Sequence, residues 1–180
     1  MVKSKSKPKS EPAQKGKANA VAGAQRYWLV KSEPSVYGWQ QLLLDRRTCW
    51  DGVRNYQARN MLRSDMQCGD GVLFYHSNAV PMAIVGIAKV VRAGYPDATA
   101  FDKASPHHDP ASDPLAPTWF MVDIEPLVTL SPVLVRERLM AVPELRDMLL
   151  LQRGCRLSVQ PVSKPEWLAI VALAGVKVTC

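Results

Sequence analysis

Apolar residues recur along this chain in short alternating or continuous runs, broken by Gly, Pro and polar clusters. That spacing belongs to strands and short helices rather than to long helices. Tyr27-Trp28-Leu29-Val30-Lys31 reads as a first strand, stopped at Ser32-Glu33-Pro34. Ser35 can cap a short helix whose body is Gly38 to Leu44. Thr48-Cys49-Trp50 is a second extended piece, and Asn55 is a good N-cap for a helix from Tyr56 to Leu62. The turn Cys68-Gly69-Asp70-Gly71 delivers a strand from Val72 to His76. After a loop at 78–81, a long apolar strand runs from Met82 to Val91, with Gly86 marking a bulge or a close approach. Residues 94–118 hold Pro96, Pro106, Pro110, Pro114 and Pro117 and read as a long loop. Connections of that length are uncommon and often functional. Trp119 to Leu130 forms another strand, with Pro126 implying an edge or a bend. Ser131-Pro132 opens a helical stretch at 133–140, and Pro143 starts another at 144–151. Arg156 to Gln160 is a last short strand, and the capping box Ser163-Lys164-Pro165-Glu166 opens a helix at 166–174. The pattern predicts an α+β fold. Its core is a curved, mixed and mostly antiparallel sheet, or a pseudo-barrel, with short flanking helices.

Composition narrows the class. With 180 residues and 47% hydrophobic content, the chain can bury one proper core. Charge is unevenly spread: residues 1–26 carry net +6 of the chain's +7, which leaves the remainder nearly neutral. This Lys-, Ser- and Pro-rich stretch cannot bury enough apolar surface to fold, so 1–26 is expected to be a disordered basic tail. It reads as a solubilising leader, an arm that contacts phosphates, or a transit peptide, although those are Arg-rich rather than Lys-rich. The folded domain is expected at 27–174, with 175–180 as its C-terminal end. No run approaches the ~20 apolar residues of a membrane span, and no secretory h-region is present. Cys49, Cys68, Cys155 and Cys180 make no CxxC, and with His76, His107 and His108 they show no zinc spacing. The chain reads as intracellular, with free thiols and neither metal nor cofactor.

The candidate chemistry lies in two segments. Thr48-Cys49-Trp50-Asp51-Gly52-Val53-Arg54-Asn55 puts Trp and Asp at a strand end, then a Gly turn, then a helix start bearing Arg and Asn. Phe74-Tyr75-His76-Ser77-Asn78 is an apolar run ending in hydrogen-bonding side chains. Together they offer a stacking face, donors, acceptors and fixed charge, which suits a nucleotide. Trp50 is either a core aromatic or a cavity wall. Asp51 either closes the Gly52 turn or accepts from an exocyclic amine. Of Arg54 and Arg59, one is expected to pair with a carboxylate and the other to reach a phosphate. Asn55 is first a helix cap. Trp28, Trp119 and Trp167 are assigned to packing. His76 and Ser77 point to opposite strand faces, so they make no nucleophile–base pair. His107-His108-Asp109 reads as solvated loop. Neither a P-loop nor the zinc-deaminase signature occurs.

Five ordered fragments carry a family resemblance: Tyr27–Pro34, Cys49–Asn60, Phe74–Asn78, Trp119–Asp123 and Arg156–Pro161. Over residues 27–174 the chain resembles EVE-domain proteins of the thymocyte nuclear protein type. That resemblance implies a PUA-like fold related to the YTH readers of methylated RNA. It also implies a pocket for a modified base, with modified cytosine in DNA as the leading ligand class. By the same analogy Trp50 is the aromatic wall, and Asp51 and Asn55 fall where relatives make polar contacts. Lys31, Ser32, Tyr75, His76, Ser77 and Asn78 stand at strand ends expected to border the cavity. Many relatives carry Tyr where this chain has His108, so His108 receives no pocket role. The function implied is a monomeric, non-catalytic nucleic-acid reader, nuclear in a eukaryote and cytoplasmic in a bacterium. The alternatives are an RNA-binding accessory module, or a nucleotide-acting enzyme with Asp51 as base and His76 as acid.

Overall fold

The computed structural model describes residues 24–178. The expected disorder of the basic tail therefore falls almost wholly outside the described residues. Strand β1 (Tyr27–Ser32) is followed by helix α1 (Trp39–Asp45), β2 (Thr48–Trp50) and α2 (Tyr56–Asn60). A wide π-type turn at Met61–Asp65 leads to β3 (Gly71–His76) and the long β4 (Ala83–Pro96). The long β5 (Phe120–Val135), α3 (Arg136–Met140), β6 (Val159–Val162) and α4 (Lys164–Ala174) complete the chain. The strands form one six-stranded sheet in the order β2-β5-β4-β3-β1-β6, curled into a half-barrel. β1 and β3 run parallel, because α1, β2 and α2 lie between them in the chain, and the remaining pairs are antiparallel.

Strand alternation sorts the apolar side chains onto two faces. Trp28, Val30, Val72 and Phe74 join one cluster with Trp39, Trp50 and Leu62 under α1 and α2. Leu29, Leu73 and Tyr75 join another with Leu139, Leu145 and Trp167. The single core expected from chain length is thus two layers, since helices cover both faces of the sheet. Both edge strands are short, at three and four residues, which limits unpaired edge backbone.

Several boundaries differ from the sequence reading, each for a physical reason. The helix expected from Ser131 does not start there. β5 continues across a cis Ser131-Pro132 bond to pair Leu134 with Ile84 and Val135 with Ala83. Burial of Leu134 holds that register. β4 runs past Val91 to Pro96, because Gly94 lets it pass directly beneath the π-type turn, where a Cβ would lie 2.4 Å from the Leu62 carbonyl oxygen. The helix expected at 144–151 is two separate 3₁₀ turns, Pro143–Leu145 and Leu149–Leu151. β6 includes Pro161, which an edge strand tolerates because no neighbour needs its missing N–H. α1 starts at Trp39 with no side-chain cap from Ser35. Instead its first N–H donates to His76 Nε2 at the end of β3, at 3.0 Å.

Candidate functional site

The site is built on the turn that leaves β2. Trp50 is the last residue of that strand and pairs with Val122 of β5. It is 8% exposed, and its ring meets Phe74 edge-on at 5.5 Å. Both readings of Trp50 therefore hold: it belongs to the core and one side of it lines a cavity. Gly52 follows with φ +68, and the His107 ring lies over it so closely that a Cβ would sit 2.7 Å from a ring carbon. Only glycine meets both the backbone angle and the lack of space.

Arg54 locks this turn to the long connection between β4 and β5. Its Nε donates to the His107 carbonyl at 2.8 Å and Nη1 donates to Asp97 Oδ2 at 2.7 Å. Nη2 donates to Thr99 Oγ1 at 3.0 Å and also to the His107 carbonyl, while Nη1 reaches the Val53 carbonyl at 3.3 Å. A guanidinium has five N–H groups, and these five contacts engage all of them. Arg54 is therefore the member of the arginine pair that binds a carboxylate internally, and no donor is left over for a phosphate. Asp97 is 0% exposed and accepts from Arg54, from the Gly52 amide at 3.0 Å and from the Thr99 amide and hydroxyl at 2.9 and 2.6 Å. Burial pushes its carboxyl up, but the hydrogen bonds from Arg54, Thr99 and Gly52 together outweigh this and hold it below its ordinary value. Asp97 thus closes the Gly52 turn, a role the sequence had offered to Asp51.

A cavity of about 540 Å³ opens beside this turn. Lys31, Ser32 and Glu33 line it from the end of β1, and Val36 and Tyr37 from the segment before α1. Thr48, Cys49 and Trp50 of β2, then Asp51 to Arg54, also line it, together with His107 and Ser158. The size lies within the range of small-ligand sites. Burial lowers the Lys31 ammonium, whose Nζ donates to the Cys155 carbonyl at 3.4 Å. Burial first, then the Asp97 charge, raises the Asp51 carboxyl. Cys49 Sγ approaches Asp51 at 3.9 Å, and its own thiol is raised by burial and by Asp51. The Tyr37 hydroxyl, raised to about 12 chiefly by burial, donates to Asp45 Oδ2 at 2.8 Å. The cavity therefore combines an apolar wall with a cation and a carboxylate.

Of the residues picked from sequence, the structure brings Lys31, Ser32, Trp50, Asp51 and Arg54 to the cavity. The others stand elsewhere. Asn55 Oδ1 accepts from the Gln57 and Ala58 amides as the cap of α2. Tyr75 points to the opposite face of the sheet, into the cluster with Leu139, as strand alternation requires once Phe74 faces Trp50. His76 shares the Phe74 face but spends Nε2 on Trp39, and burial lowers its pKa. The Ser77 amide donates to the Ser32 carbonyl at 2.9 Å. Asn78, at φ 50, donates to Glu33 Oε2 at 3.2 Å and so steadies the rim from outside. Arg59 donates to the Thr118 carbonyl at 3.1 Å and lies against Tyr56, away from the cavity.

Sequence reasoning missed Asp97 and the part played by His107. Asp97 carried one local signal, an Asp-Ala-Thr cap for the 3₁₀ turn Ala98–Ala100. The segment Pro106–Asp109, read as solvated loop, is tied back over the site. The Asp109 amide donates to the Ala100 carbonyl at 2.9 Å, and Trp119 Nε1 donates to Asp109 Oδ2 at 2.5 Å. Among the described residues no cluster of three His, Cys, Asp or Glu side chains could hold a metal. No described helix is long and apolar enough to cross a membrane.

Comparison with known proteins places this geometry in a family. The EVE domain family model matches residues 26–173. Human thymocyte nuclear protein 1 is 37% identical, over 86% of this chain and 76% of its own length. A crystal structure of a Pseudomonas putida protein is 44% identical and has a TM-score of 0.79, covering 82% of this chain and 99% of that one. The crystal structure of human THYN1 protein in complex with 5-methylcytosine-containing DNA is 36% identical with a TM-score of 0.77, covering 86% of this chain and all of that one. The cavity, the Trp-Asp-Gly turn beside it and the curled sheet that carries them belong to a member of the EVE-domain family.

Proposed function

We propose that this protein is a non-catalytic reader of modified cytosine in DNA, holding the base in the cavity beside Trp50. The observation that carries this reading is the likeness, over 86% of the chain, to human THYN1, whose crystal structure contains 5-methylcytosine DNA. The cavity supports it chemically. Trp50, Val36 and Val53 offer apolar surface to a base face and its methyl group. Asp51 offers a carboxylate to the exocyclic amine of cytosine, the pairing by which acidic side chains read that base. Lys31 lines the same cavity and adds a positive charge. The thiol nearest Asp51, Cys49, is raised and so kept protonated. His76, the acid in the enzymatic alternative, is engaged with α1 and does not line the cavity.

Magnitudes set what the reader can discriminate. A buried methyl contributes about 0.8 kcal/mol, or roughly fourfold in affinity. Cytosine against thymine differs by an amine opposite a carboxylate, which is worth more, about 1–3 kcal/mol. The test is a panel of single-stranded and duplex oligonucleotides that differ at one base: cytosine, 5-methylcytosine, oxidised cytosines, thymine and methylated adenine, in DNA and RNA. Tightest binding is expected for DNA bearing a modified cytosine, with Asp51→Asn narrowing the gap to thymine. Equal affinity across the panel, preference for the RNA series, or chemical turnover of the base would each sink this reading. Trp50→Ala is the poorer variant, because Trp50 is also core and its truncation is expected to cost about 3–5 kcal/mol of stability.

A further inference from the structure

We propose that Tyr56 is a stacking platform for the nucleotide next to the one held in the cavity. This rests on the nucleic-acid reading above. A single exposed aromatic needs no explanation. Tyr56 differs in how it is braced and in what surrounds it. It is 62% exposed at the start of α2, yet its ring is backed by Trp119 at 4.9 Å between centroids. Trp119 is 5% exposed and is itself held by the Asp109 carboxylate. The Arg54 guanidinium lies 5.4 Å from the Trp119 ring, and Arg54 lines the cavity. The platform is thus joined to the cavity wall by two successive ring contacts, and its ring is set before any ligand arrives.

Charge favours a nucleic-acid strand as the occupant. The Arg59 guanidinium lies 4.9 Å from the Tyr56 ring centroid, yet Tyr56 keeps its exposure with Arg59 and Trp119 both in place, and Arg63, exposed one turn further on, lies 5.8 Å from the Phe120 ring. Among the described residues neither forms an ion pair with a carboxylate. An aromatic face flanked by cations that protein carboxylates have not neutralised is the arrangement by which single strands are held without sequence preference. Cavity and platform divide the work: one reads a base, and the other grips its neighbour whatever that neighbour is.

The test measures affinity for three probes: a single-stranded DNA oligonucleotide with one 5-methylcytosine, the same strand with abasic residues on both sides of it, and free 5-methyl-deoxycytidine. Tyr56→Ala should weaken binding of the intact strand about 5- to 150-fold, the range for losing one stacked base. Tyr56→Phe keeps the ring and should stay within about twofold of the parent. Tyr56→Leu keeps apolar packing on Trp119 without a π face, so it carries the test if the alanine variant fails to fold, and it too should lose affinity. On the abasic strand and the free nucleoside all four proteins should bind alike. If Tyr56→Ala and Tyr56→Leu bind the intact strand at parental strength while Asp51→Asn still loses discrimination, the platform is overturned and the reader stands. If the parent binds no modified-cytosine strand at all, both fall.

Discussion

Arg54 and Asp97 form the contact on which the site depends most. The Asp97 side chain is wholly buried and the Arg54 side chain is 23% exposed, so the pair lies largely out of solvent. Removing one partner of such a pair leaves the other charge buried without its counter-ion, at a cost of about 3–5 kcal/mol. Arg54→Ala is therefore expected to lower the urea midpoint sharply and to loosen the 97–109 segment, which hydrogen exchange of the Gly52 and Thr99 amides would detect. Arg54→Lys should rescue little, because one ammonium cannot serve five contacts set in a planar fork. Asp51 gives a second residue-scale expectation. Its carboxyl is raised above the ordinary value of 3.8 by burial and by Asp97, and it accepts from an exocyclic amine far more strongly when ionised. Discrimination of 5-methylcytosine from thymine should then be complete at neutral pH. It should fade as pH falls through a point above the ordinary 3.8. Fluorescence titrations across pH would show this, and Asp51→Asn should flatten the profile.

At the scale of elements, α1 buries Trp39 and Leu42, and Trp39 makes its contacts to the sheet strands. Its N–H donates to His76 of β3, its Nε1 donates to Thr129 Oγ1 of β5 at 3.0 Å, and its ring covers Gly86 of β4. A Cβ at Gly86 would lie 2.2 Å from that ring. Gly86→Ala is expected to destabilise by about 1–3 kcal/mol or more through overpacking, measurable as a shifted denaturant midpoint. His76 adds a pH dependence. It accepts the Trp39 amide only with Nε2 unprotonated, and burial lowers its pKa from the ordinary 6.5. Below about 6.5 the unfolded chain takes up this proton more readily than the folded one, so stability rises with pH there. Full stability is expected above that value, with a loss that grows as pH falls through it. His76→Gln, which keeps an acceptor but does not titrate, should remove that part of the profile in melts between pH 5 and 8.

Charge is the property that belongs to the whole molecule. The domain carries almost no net charge, while residues 1–26 carry +6. Lysine contacts to phosphate give affinity without sequence information, and each one steepens the salt dependence. Removing residues 1–23 is expected to weaken binding to modified and unmodified strands by the same factor and to flatten the plot of log affinity against log salt. A loss of discrimination instead would make the tail part of the reader. The near-neutral domain also explains why the Tyr56 face matters: without a broad positive field, a strand needs local aromatic and arginine contacts beside the cavity to stay in place.

What the sequence determined by itself was local. The alternating runs placed the cores of β1, β3 and β4, and Asn55 and the Ser163–Glu166 box set the starts of α2 and α4 through contacts within a few residues. Gly86 announced a close approach without naming its neighbour, Trp39. The ordered fragments led to the EVE family, Lys31 and Ser32 were picked at the end of β1, and Trp50, Asp51 and Arg54 at the end of β2 and in the turn after it. What only the tertiary structure decided was everything that joins distant segments. Tyr75 and Phe74 are equally apolar, and only packing shows which face borders Trp50. Asn78, His76 and Arg59 carry the same polar atoms whether they face a ligand or a partner 37 to 59 residues away. Asp97 and His107 reach the site across more than 40 residues through Arg54 and Gly52. The physical reason is one of range. Caps, turns and alternation are settled by backbone neighbours, so sequence order reveals them. A long-range hydrogen bond leaves no mark on the residues around either partner, and it appears only when the sheet has curled and brought them together.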